Sequence, residues 1–299
     1  IVPINSKEIT CISGKLTLST FYNVSGWAKL CYKERPFDYV IMDEASQALF
    51  GMIAACKNLG QNAIWIGDQN QMQPIVLLSK EALIRNDFAM LANGFSTLCE
   101  NFEYKSYILT ETHRLLKKSA ALTSVFYHTT LKSVANFDYV FKNTTISYIP
   151  KDGGTILVFK NMPIGEKADK ESCDFTIGIV EDILSFNSKL KIAVLTKFRV
   201  AVRMLQNCFI SKHGSKENVL IDTVERVQGM TCDVCIYYIP NTMMGMSLDK
   251  PLFNVATSRA KQLTIIIADN SILNASCHRD VHSYLLEITS GIVPNQQKE

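Results

Sequence analysis

Eight short apolar runs, rich in β-branched residues, punctuate this chain. They are Tyr39–Met42 (YVIM), Ala63–Ile66 (AIWI), Tyr107–Leu109 (YIL), Thr155–Phe159 (TILVF), Ile192–Leu195 (IAVL), Val219–Asp222 (VLID), Val234–Ile239 (VCIYYI) and Leu263–Ala268 (LTIIIA). A strand with one wet face alternates polar and apolar residues. Near-continuous apolar runs belong to strands covered on both faces, as in a parallel sheet. Helical periodicity fills several of the gaps. Cys173–Phe186 carries apolar residues at Ile177, Val180, Ile183 and Leu184, and Arg199–Cys208, Thr112–Phe126 and Lys80–Leu91 follow a similar pattern. Strands alternating with helices predict βαβ units and an α/β fold with parallel sheets and flanking helices. Val134–Gly154, rich in Asn, Asp, Thr and Gly, reads as an irregular insertion.

Composition excludes several classes. With 47% hydrophobic and 20% charged residues the chain can bury sizeable cores and is not intrinsically disordered. No apolar run approaches the ~18 residues of a membrane helix, and IVPINSKEIT has no secretory pattern. A net charge of +3 is too mild to mark a nucleic-acid protein by itself, although the basic excess falls after residue 100. The nine cysteines are odd in number and scattered through apolar segments, which suits a reducing cytoplasmic setting. Cys232 and Cys235 form a C-x-x-C, and His278 and His282 an H-x-x-x-H. The two pairs lie much farther apart than the roughly 12–20 residues of a zinc finger, so buried thiols are expected instead.

Chemistry concentrates where apolar runs end. FDYVIMDEASQ finishes a strand on Asp43 and Glu44. An Asp at such an end can hold Mg²⁺ against nucleotide phosphates, and a neighbouring Glu can deprotonate water. The same two acids could instead cap the next helix. AIWIGDQNQMQP repeats the arrangement with Gly67, Asp68, Gln71 and Pro74. Gly permits a tight exit and Pro stops further pairing. Arg114 follows a short strand in ILTETHRL. VLIDTVERVQGMTCDVCIY places Thr223, Gln228 and Gly229 after a strand, and LFNVATSRAKQLTIII carries Arg259 and Lys261 on a helical segment before the last strand.

In this order and spacing the segments resemble the motor core of superfamily 1 nucleic-acid helicases, nearest the branch of the nonsense-mediated-decay helicase and senataxin. DEASQ resembles their Walker B, GDQNQMQP their third motif and THR with FYHTTLKS their tyrosine-or-histidine-arginine motif. IAVLTKFRVAVRML is similar to the strand that opens their second sheet, DTVERVQGMTCDV to their fifth motif and NVATSRAK to their sixth. The resemblance implies RecA-like P-loop NTPase domains with ATP bound between them. Its expected division is 1–95 for the back part of a first domain, 96–290 for a complete second domain and 291–299 for a flexible tail. It implies that Asp43 holds Mg²⁺, that Glu44 activates water, and that Asp68 and Gln71 serve the γ-phosphate. Arg114 and Arg259 would be arginine fingers, and Gln228 and Gly229 would lie near the phosphates. Ser19, Thr20 and Thr223 would touch the backbone of single-stranded nucleic acid, DNA in preference to RNA, along which such motors move 5′ to 3′.

Three departures qualify that likeness. No G-x-x-x-x-G-K-[ST] occurs: Gly14-Lys15 is followed by Leu16. With the initial Ile, this suggests a C-terminal portion lacking the phosphate loop and inactive alone, or else a non-catalytic helicase-derived binding or scaffold module. Thr231 stands where the branch usually has Glu, and Ser258 where it usually has Thr.

Overall fold

The computed structural model describes residues 2–3, 11–31, 33–100 and 104–289; the expected tail, 291–299, lies outside them. The chain forms two compact units that part between Ile108 and Leu109. This is beyond the expected 95/96 because the helical turn Gly94–Cys99 belongs with the first unit: a Cβ on Gly94 would strike the Phe50 backbone at 2.6 Å.

In the first unit, helix α1 (Phe21–Cys31) precedes strand β1 (Phe37–Met42), and helix α2 (Phe50–Leu59) leads into strand β2 (Gly60–Trp65). β1 and β2 pair in parallel, the βαβ geometry expected from the sequence. Val40, Met42 and Trp65 pack on Ile53 and Cys56 of α2, and Trp27 and Leu59 close a second cluster with Val40. The other face differs from expectation. Tyr39, Ile41, Ile64 and Ile66 alternate along it and are exposed, so among the described residues these strands are covered on one face. The pattern of Lys80–Leu91 also breaks, into turns Lys80–Arg85 and Ala89–Ala92, because Asp87 adopts a left-handed φ of 55° between them. Tyr107–Leu109, expected as a strand, has no regular structure, and all three side chains are exposed. The neighbouring strand is instead Glu111–Thr112, paired with Lys132–Ser133.

The second unit is the expected buried parallel sheet. Helix α3 (Lys117–Ser124) is shorter than the pattern from Thr112, whose first residue is spent in the Glu111–Thr112 ladder. The residues between Lys132–Ser133 and Gly154 form only turns, as their composition suggested. Then follow β3 (Gly154–Phe159), α4 (Lys170–Phe186), β4 (Ile192–Thr196), α5 (Arg199–His213), β5 (Val219–Thr223), β6 (Cys232–Ile239), α6 (Lys250–Thr257), β7 (Ala260–Ala268) and α7 (Arg279–Thr289). The sheet order is β3-β7-β6-β4-β5, and every pairing is parallel. β6 shows why its run reads as continuously apolar. Val234, Ile236 and Tyr238 join Ile177, Val180 and Leu205 from α4 and α5. Tyr237 points the other way, into a ring cluster with Phe253, Phe126 and Tyr284. Burying such a side chain contributes about 1.5–3 kcal/mol, so a strand with both faces covered cannot tolerate polar alternation. Together these are the parallel α/β sheets with flanking helices that the sequence predicts.

Candidate active site

Two strand ends lie side by side in the first unit. Met42 stands opposite Trp65, and the ladder continues one step. Ile66 N donates to Met42 O at 2.9 Å, and Ala45 N to Ile66 O at 2.8 Å. Asp43-Glu44 and Gly67-Asp68 therefore leave the sheet together at its carboxyl edge, where open α/β sheets bind ligands. Glu44 adopts φ 52°, ψ 39°, a left-handed conformation costing about 1 kcal/mol or more for a side chain without a special reason to be there. Asp43 Oδ1 accepts from Glu44 N at 2.9 Å and braces the turn. The Glu44 side chain makes no cap bond to the following turn, Ala45–Gln47, so helix capping is not its role.

The second loop is pressed against the first. A Cβ on Gly67 would stand 2.9 Å from Ser46 N and 3.1 Å from the Phe95 ring. Ser46 itself is buried, and its Oγ has no hydrogen-bond partner among the described residues. Asp68 Oδ1 accepts from Asn70 N and Oδ2 from Gln71 Nε2, each at 2.8 Å. Asp68 is thus the brace of Gln71, a role that spacing alone did not suggest. Thr20 lies at the start of α1, where its Oγ1 accepts from Asn23 N at 3.4 Å; Ser19 beside it is exposed.

The second unit brings Arg114, Gln228, Gly229 and Arg259 to the amino edge of its sheet. Gln228 (φ −56°, ψ 138°) and Gly229 (φ 80°) form the two corners of a type II turn closed by Met230 N to Val227 O at 3.0 Å. That turn needs a positive φ at its second corner, which explains the glycine. Beyond it, β6 begins with a bulge. The register shifts between Cys232 and Val234, and Asp233 N and Val234 N both donate to Lys191 O. Cys232 and Cys235 are buried there, their thiols donating to Arg259 O at 3.7 Å and Ala256 O at 3.2 Å.

Arg259 is not on a helix as expected: α6 ends at Thr257, and Arg259 directly precedes β7. Its guanidinium is buried. Nε donates to Val255 O at 3.0 Å, Nη2 to Ser258 Oγ at 3.0 Å and Nη1 to Met230 O at 3.5 Å. Arg114 Nη1 donates to Ser258 O at 3.4 Å, so the two arginines, 144 positions apart from Ser258 in one case, meet at a single serine. Thr223 is elsewhere, buried at the carboxyl end of β5, next to the Lys197–Glu225 ion pair. Sequence reasoning marked Ser258 only as a departure in the sixth motif, not as a partner of both arginines, and it missed Ser46 and the Met230 carbonyl.

The donor sets fit a magnesium nucleotide in part. Exposed Asp43 at a strand end offers the hard oxygens Mg²⁺ takes, and paired guanidiniums suit phosphate oxygens. A family profile described as an AAA domain matches residues 91–271. The chain belongs to that family, an AAA domain of superfamily 1 helicases. This AAA-domain chain is 29% identical over 252 residues to an uncharacterized ATP-dependent helicase of Methanocaldococcus jannaschii, covering 79% of the chain and 36% of the relative. It is 26% identical over 281 residues to the DNA replication ATP-dependent helicase/nuclease DNA2 of Saccharomyces cerevisiae, covering 81% of the chain and 18% of that protein. It is 23% identical over 267 residues to the helicase sen1 of Schizosaccharomyces pombe, covering 83% and 16%. The helicase-type AAA chain therefore spans about a third or less of the relatives it matches. All nine of its cysteines are unpaired, and among the described residues no helix is long and apolar enough to cross a membrane.

Proposed function

We propose that these residues serve an ATP-driven helicase or translocase that moves 5′ to 3′ along single-stranded nucleic acid, DNA in preference to RNA. The observation that carries the reading is the paired strand end. Glu44 is held in a left-handed turn at one strand end, and the loop from the adjoining strand end carries Gln71, which is clamped by Asp68. Backbone strain retained at a strand end with an acidic side chain is what a site that must aim a general base would keep. Asp43 would hold Mg²⁺, which supplies charge neutralisation at the transferred phosphoryl group. Glu44 takes the proton of the attacking water at its carboxylate, and Gln71 carries the state of the terminal phosphate. Arg114 and Arg259 stabilise the charge that develops as phosphate leaves, with Gln228 and Gly229 close by. Ser19, Thr20 and Thr223 hold the strand by its backbone without reading sequence. The names of the DNA2 and sen1 relatives support the nucleic-acid reading, and the first of them supports DNA.

The test is made on the full-length protein that carries these residues. Glu44→Gln should abolish ATP hydrolysis while retaining ATP binding; unchanged turnover removes Glu44 as the base. The 299 residues alone hold no phosphate loop and are expected to show no ATPase activity, so robust turnover by them would also overturn the reading. An affinity for an RNA oligonucleotide equal to or above that for the matched DNA would overturn the choice of DNA.

A further inference from the structure

We propose that Ser258 is the positioning residue that aligns the two arginines, its hydroxyl indexing Arg259 and its carbonyl indexing Arg114. The proposal rests on the reading that those arginines serve the triphosphate. Ser258 is the C-cap residue of α6, pinned by its own N–H to Asn254 O at 3.1 Å, with φ −105° and ψ 12°. A residue fixed in this way presents its carbonyl in one direction and its side chain in another. The carbonyl oxygen accepts from Arg114 Nη1 at 3.4 Å, and Oγ accepts from Arg259 Nη2 at 3.0 Å.

The proton accounting on the hydroxyl is consistent. Its O–H donates to Val255 O at 3.4 Å, which leaves oxygen lone pairs for the guanidinium. Val255 O also accepts from Arg259 Nε at 3.0 Å. The planar fork of the arginine is therefore held at two of its nitrogens by one carbonyl and one hydroxyl that are themselves joined. With Nη1 on Met230 O as well, the guanidinium cannot swing about its long side chain. These contacts are to neutral oxygens, which orient the cation. Ser258 touches no reacting atom; it acts through Arg259.

Alanine removes the Oγ acceptor and leaves the carbonyl to Arg114, while threonine keeps both. In the 299-residue chain without nucleotide, hydrogen exchange at Arg259 Nε–H should quicken about tenfold in Ser258→Ala and return to near the parent rate in Ser258→Thr, since exchange reports local opening. In the full-length protein, Ser258→Ala should lower kcat for ATP about tenfold or more with KM within about threefold, because misplaced groups cost rate before they cost binding. Ser258→Thr should restore kcat, and oligonucleotide affinity and thermal melting should stay near the parent values. Unchanged exchange in Ser258→Ala overturns the proposal, as does a kcat loss that threonine fails to rescue. If the parent protein hydrolyses no ATP, the function proposed above falls, and the exchange measurement still decides the role of Ser258.

Discussion

Asp280 shows how this chain keeps a charge inside. Its side chain is 3% exposed, with Lys250 Nζ at 2.8 Å, His278 Nδ1 at 3.5 Å, Arg279 Nε at 3.6 Å and His128 Nε2 at 3.8 Å. Burial pushes the carboxyl up, but the hydrogen bond and charge of Lys250 outweigh it and hold Asp280 below the usual carboxylate range. A depressed folded value stabilises the fold above the unfolded carboxylate value, and that contribution is lost as pH falls through the folded value. Lys250→Met leaves a desolvated carboxylate with weaker partners and should cost about 3 kcal/mol near pH 7. Urea unfolding followed from pH 8 down to about pH 2 checks it. The loss should be full near pH 7 and shrink as pH falls and the Asp280 carboxyl protonates in both proteins, and a loss equal at every pH would show that charge plays no part. Little of this was legible in the sequence, where Lys250 and Asp280 are merely two charges on different helices. Arg259 teaches the same lesson in reverse. On paper it is a cation beside a strand, and in the fold it is a buried fork on three oxygens. Residue identity announces chemistry, but burial and partner geometry come from chain segments far apart.

At the scale of elements the sequence was a better guide, for a reason that differs between units. The runs around Ile192–Leu195, Val234–Ile239 and Leu263–Ala268 became central strands because both of their faces are covered, and apolar continuity is the direct mark of that condition. Tyr39–Met42 and Ala63–Ile66 have the same mark, yet Tyr39, Ile41, Ile64 and Ile66 face outward. Apolar continuity therefore reported strand but not cover. The Tyr107–Leu109 run failed altogether, since it has no ladder partner among the described residues and three residues of β-propensity cannot supply one. Helix ends were misplaced where local backbone chemistry intervened, as at Asp87, or where a short ladder claimed the first residues, as at Thr112. The Gln228-Gly229 pair was recognised as a motif, and the type II turn supplies its physical reason.

For the whole molecule, the division after Ile108 falls in an unstructured stretch whose Tyr107 and Leu109 side chains are 85% and 82% exposed. Exposed irregular backbone is where proteases nick a folded chain. Brief chymotrypsin digestion should cut first at Tyr107 or Leu109 and leave a persistent product that begins there and contains the five-stranded sheet. Equal early cleavage within Ile192–Ala268 would contradict a sheet covered on both faces.

The order of that sheet also sets a timetable. Among the described residues Gly154–Phe159 has no partner near it in sequence; it pairs with Leu263–Ala268. At about 5–20 residues per second, the roughly hundred residues between them keep this apolar edge waiting on the ribosome for on the order of ten seconds. Over that interval the nascent second unit depends on whatever shields Ile156 and Val158, so its yield in a cell is governed by chaperone supply as well as by the stability of the finished sheet.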